Sequence, residues 1–292
     1  MKKIFLKIFK KKRNSNSERY KNYIIPKINE FYKNIDSKDT ISFLHYGHLG
    51  DIINSLPTIK LLSKTKNCHL YIQSNKKIPG HVISKDHPFG DVYLTKNSIV
   101  KLIPLLKQQK FLQKVETFSN QKIDIDLNFF RELPINFNID SVRWYFHLTG
   151  IFPDLSKSYL EVNESDKFKN FIVILRSLRR QNKYINYKFI NSYKNLVFIG
   201  LKNEYLDLKK EIPNLEYYDS EDFLELATII KSCKMFIGNL SFGFALAEAL
   251  KVPRLLESGP NFPLVYPNGS NGYDFYFQNH FEELVKKLNE IK

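Results

Sequence analysis

The chain has 292 residues, of which 43% are hydrophobic, and its formal net charge is +15. This length suffices for two domains with separate cores, and no apolar run approaches the ~18 residues that a membrane-spanning helix needs. Its two cysteines, Cys68 and Cys233, show no CxxC or Cys/His spacing, which argues against a disulfide framework or structural zinc and suits a reducing cytoplasm.

The first thirteen residues form a basic, amphipathic segment. Lys2 to Arg13 carries seven positive charges and no acid, with Ile, Leu and Phe between the charges. Such segments favour anionic bilayer surfaces, at roughly 1 kcal/mol per basic residue near the surface, although a solvated tail is the alternative. Because no nucleic-acid-binding motif accompanies the charge, we expect no nucleic-acid partner. We expect a cytoplasmic protein, peripheral at the inner membrane if residues 1–13 bind lipid.

Strands and helices alternate in the first half of the chain. Residues 1–38 are predicted to be the basic segment and a linker, with a short helix over 21–33. A first α/β domain is predicted over 39–155, with a boundary where proline and polar residues cluster over 152–169. Its predicted strands are 41–46, 68–73, 91–95, 114–118 and 123–128, and its predicted helices are 52–64, 97–110 and 138–149.

The second half, residues 165–292, repeats this alternation and ends on a helix. Strands that alternate with helices of about ten residues indicate βαβ units and a parallel sheet, so the predicted fold class is α/β. The predicted strands are 171–176, 196–200, 215–218, 235–238 and 253–257, and the predicted helices are 184–193, 202–211, 221–232, 241–251 and 279–291.

The segment Tyr46-Gly47-His48-Leu49-Gly50-Asp51 joins the first predicted strand of this alternation to the helix that follows it. A glycine turn at this position lets backbone N–H groups and the helix N-terminus face a polar ligand. Asp51 would then lie beyond the carboxyl end of a strand, where open α/β sheets bind substrates. Its alternative role is to cap the helix, for which Asp is among the best residues.

Two segments carry a resemblance to a known family. His48–Ile59, in which a Gly-Asp pair leads a helix that contains Leu-Pro, resembles the opening signature of glycosyltransferase family 9, the ADP-heptose:lipopolysaccharide heptosyltransferases. Phe236–Pro253, a strand, a glycine-rich turn and an Ala-rich helix, resembles the donor-site segment of that family. The resemblance implies two Rossmann-like domains that face a cleft, the GT-B type fold.

The same resemblance implies an activity. It is the inverting, metal-independent transfer of a heptose or other hexose-like sugar from a nucleotide-diphosphate donor. The acceptor would be lipopolysaccharide, another surface glycan or a lipid-linked glycan. No bound cofactor is expected, since the nucleotide sugar is a co-substrate. Asp124 and Asp126 have the spacing of a metal-binding DxD pair, but they alternate with apolar residues as the exposed face of a strand does.

Roles for single residues follow from the resemblance and from side-chain chemistry. Asp51 takes the position of the family's catalytic Asp, with Gly47, His48 and Gly50 on the acceptor side, while His45 and His48 are alternative bases by their chemistry. Candidates to hold the donor diphosphate are the cations Arg176, Arg179, Arg180 and Lys183 and the turn residues Gly238, Ser241 and Gly243. Arg176 is the strongest of the cations because it directly ends an apolar strand.

The nucleoside has two candidate partners, Glu204 and Glu248, which rank above Glu257. Glu204 resembles the family position that binds the ribose, and Glu248 lies two turns after Ser241 on one helix face. The sequence departs from the family at the turn, where heptosyltransferases have Asp-Ser/Thr-Gly followed by a His. This chain has Leu240-Ser241-Phe242 and then Ala245. A non-catalytic nucleotide- or glycan-binding descendant of the same fold is therefore the alternative.

Overall fold

The structure is a computed structural model that describes residues 17–80, 87–260 and 265–291. The basic segment 1–13 lies outside the described residues, so its predicted membrane contact stays a prediction. Within the described ranges, two parallel sheets carry helices on their faces.

The first half begins with a π-helical turn, Tyr20–Ile24, that leads into a helix. Its helices are α1 (Ile25–Ser37), α2 (Leu49–Leu62), α3 (Lys96–Lys107) and α4 (Val142–Thr149). Its strands are β1 (Thr40–His45), β2 (Asn67–Ile72), β3 (Lys114–Thr117) and β4 (Ile125–Asp126). All neighbouring strands are parallel, in the order β3-β2-β1-β4.

The second half contains a larger parallel sheet. Its strands are β5 (Ile172–Leu175), β6 (Leu196–Ile199), β7 (Glu216–Tyr218), β8 (Met235–Asn239), β9 (Arg254–Glu257) and β10 (Gly272–Phe275). Its helices are α5 (Lys202–Leu208), α6 (Phe223–Ser232), α7 (Phe242–Leu250) and α8 (Gln278–Asn289). The strand order is β10-β9-β8-β5-β6-β7. Every residue of β5, β6, β8 and β9 is buried, which is why β5, β6 and most of β8 read as apolar runs, whereas β9 begins with Arg254 and ends with Glu257.

Two predicted elements are wrong. Residues 91–95 do not join the sheet, because their backbone pairs with residues 75–78 instead, where Val92 and Lys77 form an isolated antiparallel bridge. Residues 184–193 contain only a short 3₁₀ segment, Lys188–Ser192. The side chains of Asn182 and Asn186 accept hydrogen bonds from the backbone two residues on, at 3.1 and 3.3 Å, and such local bonds compete with helix formation.

A hydrophobic core runs continuously from one sheet to the other. Helix α2 contacts α7 and α3 contacts α6, so helices of the two halves pack directly together. Helix α1 also belongs to this core through Ile28 and Phe31, so this part of the predicted linker is an integral part of the fold. At the α2–α7 contact, a Cβ placed on Gly50 would lie 3.9 Å from the Cβ of Ala245. The first turns of these two helices are therefore neighbours.

Candidate active site

In each sheet, successive strands are added first on one side of the first strand and then on its other side, so the strand order has one switch point. In the first sheet, β2 and β3 lie on one side of β1, and β4 lies on the other side of β1. In the second sheet, β6 and β7 lie on one side of β5, and β8 lies on the other side of β5. Open parallel sheets bind ligands beyond the carboxyl ends of strands at such switch points. The segments that follow β1, β4, β5 and β8 all line one cavity of about 450 Å³. This cavity therefore lies where the strand order of both sheets predicts a ligand site.

Asp51 lies in the first turn of α2 and lines this cavity. Its Oδ2 accepts hydrogen bonds from the backbone N–H of His48 at 3.1 Å and from Nη2 of Arg131 at 3.2 Å. Within the described residues, no hydrogen bond reaches Oδ1. The carboxylate thus caps its helix with one oxygen while 18% of the side chain stays exposed, so capping and chemistry at the cavity are compatible.

His45, an alternative base by its chemistry, has a structural role. Its Nδ1 accepts a hydrogen bond from the backbone N–H of Gly47 at 2.9 Å, which assigns the proton to Nε2 and lets Nε2 donate to Tyr145 Oη at 2.9 Å. Burial lowers the pKa of His45 well below its ordinary value, so the ring is neutral. The side chain is fully buried and does not line the cavity.

His48 lines the cavity beside Asp51. Its ring centroid lies 4.5 Å from that of His87 and 5.0 Å from that of Tyr93. Burial lowers the pKa of His48, and the nearby Asp51 carboxylate opposes this shift. Gly50 also lines the cavity, whereas Gly47 lies behind Asp51. The acceptor-side residues predicted from the sequence are therefore grouped around the carboxylate.

Arg131 was not predicted from the sequence, although it contacts Asp51 directly. It lies in a 3₁₀ segment, Leu127–Glu132, that follows β4, and the pairing of β4 with β1 brings it to the start of α2. Its guanidinium lies 4.6 Å from the ring centroid of Tyr93 and 4.3 Å from that of Phe130. The signal in the sequence that could have found it is its position just beyond a predicted strand.

Two arginines of the second half of the chain line the same cavity as Asp51. Arg179 and Arg180 belong to a short 3₁₀ turn, Leu178–Arg180, that follows β5, and both line the cavity and are half-buried. Burial, and then the charge of Arg179, lowers the pKa of Arg180. Lys183, a third predicted phosphate ligand, is exposed and does not line the cavity.

Arg176, the strongest phosphate candidate from the sequence, does not line the cavity. Its side chain is 4% exposed, and its guanidinium makes hydrogen bonds of 2.7 and 3.0 Å to the carboxylate of Glu257. The ring of Tyr187 lies 4.5 Å from the guanidinium, and Tyr187 Oη donates to the same carboxylate at 2.8 Å. A buried cation at a strand end needs an anion, and Glu257 at the end of β9 supplies it. The phosphate assignment therefore moves to Arg179 and Arg180.

Of the three predicted turn residues, only Ser241 lines the cavity. Its Oγ caps α7, because it accepts a hydrogen bond from the N–H of Phe244 at 3.3 Å and donates to the carbonyl of Asn239 at 2.9 Å. Gly238 and Gly243 serve close packing, since a Cβ at either would come within 2.6 Å of Leu175. A ligand would instead meet the N–H groups of the first turn of α7, which have no partners within the helix.

The two predicted nucleoside ligands are both buried outside the cavity lining. Glu248 pairs with Lys251 and with Arg254, the latter at 2.5 Å, and accepts from the N–H of Asn268 at 3.1 Å, so its role is structural. Burial raises the pKa of Glu204, and a hydrogen bond with Ser177 opposes the shift. Since Ser177 immediately precedes the turn that carries the two arginines, Glu204 lies next to the cavity.

The wall formed by α7 carries the departure from the heptosyltransferase pattern. Leu240, Phe242 and Ala245 line the cavity there. Within residues 17–80, 87–260 and 265–291, no group of three or more His, Cys, Asp or Glu side chains could hold a metal ion. In the same ranges, no helix is both long and apolar enough to cross a bilayer.

No protein-family model matches the chain, and no curated protein matches its sequence. Solved structures do match its fold. The chain is similar to E. coli heptosyltransferase WaaC with ADP-2-deoxy-2-fluoro heptose, at 10% identity and a TM-score of 0.54 over 85% of this chain and 99% of that one. It is also similar to E. coli ADP-heptose lipopolysaccharide heptosyltransferase II, at 11% identity and a TM-score of 0.50 over 86% and 98% of the two chains.

A third similar structure is the dodecameric iron-containing heptosyltransferase TibC in complex with ADP-D-beta-D-heptose. It has 14% identity and a TM-score of 0.50, over 82% of this chain and 63% of that chain. At these identities the comparisons establish architecture, and they confirm at that level the resemblance carried by His48–Ile59 and Phe236–Pro253. The protein has the GT-B type α/β fold of the family 9 heptosyltransferases.

Proposed function

We propose that this protein is an inverting glycosyltransferase that moves a sugar from a nucleotide-diphosphate donor to a hydroxyl of a glycan or lipid-linked acceptor. The observation that carries the proposal is the cavity shared by both switch points, which Asp51 lines from the first half of the chain and Arg179 and Arg180 line from the second half. Inverting glycosyl transfer needs a base and an anion site on opposite sides of one carbon atom. WaaC and TibC, which share the fold, were solved with ADP-linked sugars, which favours an ADP-activated donor.

Asp51 is the base in this mechanism. The acceptor hydroxyl gives its proton to the free oxygen of Asp51 while its own oxygen attacks the anomeric carbon of the donor. The bond from that carbon to the diphosphate oxygen breaks, and the electron pair leaves with the diphosphate. Because attack and departure occur on opposite faces, the configuration at the anomeric carbon inverts. Arg131 holds the carboxylate in place through the 3.2 Å contact to Oδ2.

The departing diphosphate is stabilised by groups of the second half of the chain. The guanidinium groups of Arg179 and Arg180 suit phosphate oxygens geometrically. The first turn of α7 adds unpaired N–H groups and the positive end of the helix dipole. We propose that these groups neutralise the leaving group without a metal ion, and that Glu204 remains the candidate contact for the ribose.

Binding measurements test the anion site. The proposal predicts that ADP or UDP binds more tightly than the corresponding nucleoside, and that Arg180→Gln weakens diphosphate binding roughly 10- to 100-fold, as the loss of a charged hydrogen bond implies. Nucleoside binding should change little. Lys188→Gln, which neutralises an exposed cation of the same half, is the matched control. Equal losses for diphosphate and nucleoside, or equal effects of the two variants, would remove Arg180 from the site.

A non-catalytic nucleotide-binding role is the second candidate, and the cavity wall itself favours it. Leu240, Phe242 and Ala245 line the cavity at positions near those where heptosyltransferases carry an Asp and a His. Release of nucleoside diphosphate from a nucleotide sugar, either to an acceptor or to water, discriminates between the two. Turnover excludes the binding-only role, whereas tight binding without any turnover supports it.

A further inference from the structure

We propose that His87 is a further ligand of the donor diphosphate. It donates a hydrogen bond from Nε2–H to a phosphate oxygen, and so reaches from the first half of the chain to the anion that Arg179 and Arg180 hold from the second half. The inference rests on the proposed function, because this anion is the leaving group of that reaction. His87 was not a candidate from the sequence, where it falls between two predicted strands.

The ring of His87 is held in one orientation by its surroundings. Its Nδ1 accepts a hydrogen bond from the backbone N–H of Phe89 at 3.1 Å. Its ring centroid lies 4.5 Å from that of His48 and 5.3 Å from that of Phe89. The chain is fixed again a few residues further on, where Val92 forms a bridge with Lys77. The imidazole is therefore preorganised before a ligand binds.

The hydrogen bond from Phe89 also determines which ring nitrogen can serve a ligand. Because Nδ1 accepts, the proton of the neutral ring is assigned to Nε2, which is then a donor. In the part of the chain that the structure describes, the buried side-chain nitrogen and oxygen atoms without a hydrogen bond are His48 Nδ1, Thr58 Oγ1 and Trp144 Nε1. Nε2 of His87 makes no hydrogen bond to the described residues and is not among these atoms, so it keeps accessible surface. Since the half-buried His87 lines the cavity, a ligand there can reach this atom.

The two arginines act electrostatically on this ring. Burial, then the neighbouring His48 and the charges of Arg179 and Arg180, lower the pKa of His87 to about 3. The ring is thus neutral near pH 7, and it lines the same cavity of about 450 Å³ as both guanidinium groups. A third permanent cation here would repel the two arginines before the anion binds. A neutral imidazole supplies a hydrogen-bond donor without that repulsion.

A diphosphate is the ligand that suits this set of groups. Its ionised oxygens accept hydrogen bonds, whereas guanidinium groups and the Nε2–H of a neutral imidazole donate them. Negative charge develops on the diphosphate as its bond to the anomeric carbon breaks. A donor to its oxygens is therefore worth more in the transition state than in the ground state, so His87 supports departure of the leaving group as well as binding.

Two substitutions of His87 separate a ligand role from a role in holding the loop. The side-chain nitrogen of Gln comes near the position of Nε2, so His87→Gln keeps a donor to the ligand. The side-chain oxygen of Asn comes near the position of Nδ1, so His87→Asn keeps an acceptor for the N–H of Phe89 and loses the donor. His147→Gln is the matched control, because His147 is an exposed histidine of the same half.

Calorimetry on the full-length protein measures the affinity for ADP, UDP and inorganic pyrophosphate, with adenosine and uridine as uncharged counterparts. We expect His87→Asn to bind the diphosphates about ten-fold more weakly, and His87→Gln to stay within about three-fold of the unmodified protein, as the loss or retention of a hydrogen bond to a charged group implies. Nucleoside affinity should change little in either variant, and His147→Gln should match the unmodified protein. Full diphosphate affinity in His87→Asn, or an equal loss in the two His87 variants, would overturn the inference.

Kinetic measurements separate this inference from the proposed function. Equal turnover of a nucleotide sugar by the unmodified protein and His87→Asn, with equal diphosphate affinity, would support the transferase and reject the ligand role of His87. Diphosphate binding that His87→Asn weakens and His87→Gln preserves, in a protein that turns over no nucleotide sugar, would support the ligand role and reject the transferase.

Discussion

At the scale of single residues, the position of Asp51 depends on the absence of a side chain at Gly47. A Cβ at this position would lie 2.7 Å from Cε1 of His45 and 2.8 Å from Oδ2 of Asp51. Contacts this short require one neighbour to move, and His45 is fully buried with both ring nitrogens bonded. The neighbour that gives way is therefore the carboxylate.

Gly47→Ala should lower kcat at least ten-fold and leave KM for the nucleotide sugar nearly unchanged, since the proposed donor ligands Arg179 and Arg180 belong to the second half of the chain. Its melting temperature should also fall. Gly50→Ala is the matched control for stability, because its Cβ would meet only an ordinary 3.9 Å contact with Ala245. A Gly47→Ala protein with unchanged kcat and stability would show that the carboxylate is not held by this contact.

Arg131 offers a second residue-scale test of how the carboxylate is held. Arg131→Ala removes the partner of Oδ2 and leaves the capping bond from His48. The expected result is a fall in kcat of about ten-fold, partial recovery in Arg131→Lys, and little change in affinity for ADP. Loss of ADP affinity with an unchanged kcat would instead place Arg131 in the donor site.

At the scale of elements, the ends of β5 and β9 are joined by the buried pair of Arg176 and Glu257. Removal of one partner from a buried ion pair leaves an uncompensated charge and costs about 3–5 kcal/mol. Arg176→Met should therefore lower the free energy of unfolding in urea by about this amount, while the folded protein still binds ADP. Arg180→Gln, four residues further along the chain, should instead keep the free energy of unfolding and weaken ADP binding. A stable Arg176→Met protein that has lost ADP binding would instead support the prediction from the sequence that Arg176 holds the donor diphosphate.

A contact between the two halves should make stability depend on pH. Asp140, which lies two residues before the start of α4, accepts a hydrogen bond from Asn268 of the second half at 3.3 Å. Burial raises the pKa of Asp140 to about 6, the nearby Glu248 adds to this, and bonds from Val142 and Asn268 oppose it. The folded protein thus binds this proton more tightly than the unfolded chain does. The stability that protonated Asp140 contributes below about pH 4 is lost as the pH rises to about 6.

Asp140→Asn should remove this dependence. Relative to the unmodified protein, the variant should gain stability as the pH rises from 4 to 6, by up to about 3 kcal/mol. Melting temperatures of both proteins across pH 4–7 provide the measurement. Parallel curves over this window would show that Asp140 titrates alike in the folded and unfolded states.

Local sequence predicts well the strands that are apolar runs and the helix that begins at a capping serine. The apolar runs of β1, β5 and β8 and the cap of α7 at Ser241 lie within one or two residues of their predicted bounds. Asp51 could be found because its loop is local in sequence. The position of Arg131 just beyond a predicted strand marked it only as a candidate, since its contact with Asp51 depends on the pairing of β4 with β1. Arg176 was misassigned for the same reason, because Glu257, which neutralises it, is 81 residues away.

At the scale of the whole molecule, the charge of +15 is distributed unevenly, with seven positive charges within residues 1–13. Deletion of residues 1–13 should leave the fold and ADP binding intact, and should weaken binding to vesicles that contain phosphatidylserine. The attraction is electrostatic, so high salt should abolish it and neutral vesicles should show little binding of either protein. Equal binding of the full and shortened chains to anionic vesicles would reject a membrane role for the segment.

The central claim is that two switch points meet at one cavity in which Asp51 acts as the base. The most direct test measures the release of nucleoside diphosphate from a panel of ADP- and UDP-sugars by the unmodified protein and by Asp51→Asn, together with the affinity of each for the same donor. The account predicts release by the unmodified protein, a loss of roughly 10²-fold or more in the variant, and equal donor affinity. Equal rates in the two proteins, or no release from any donor, would contradict it.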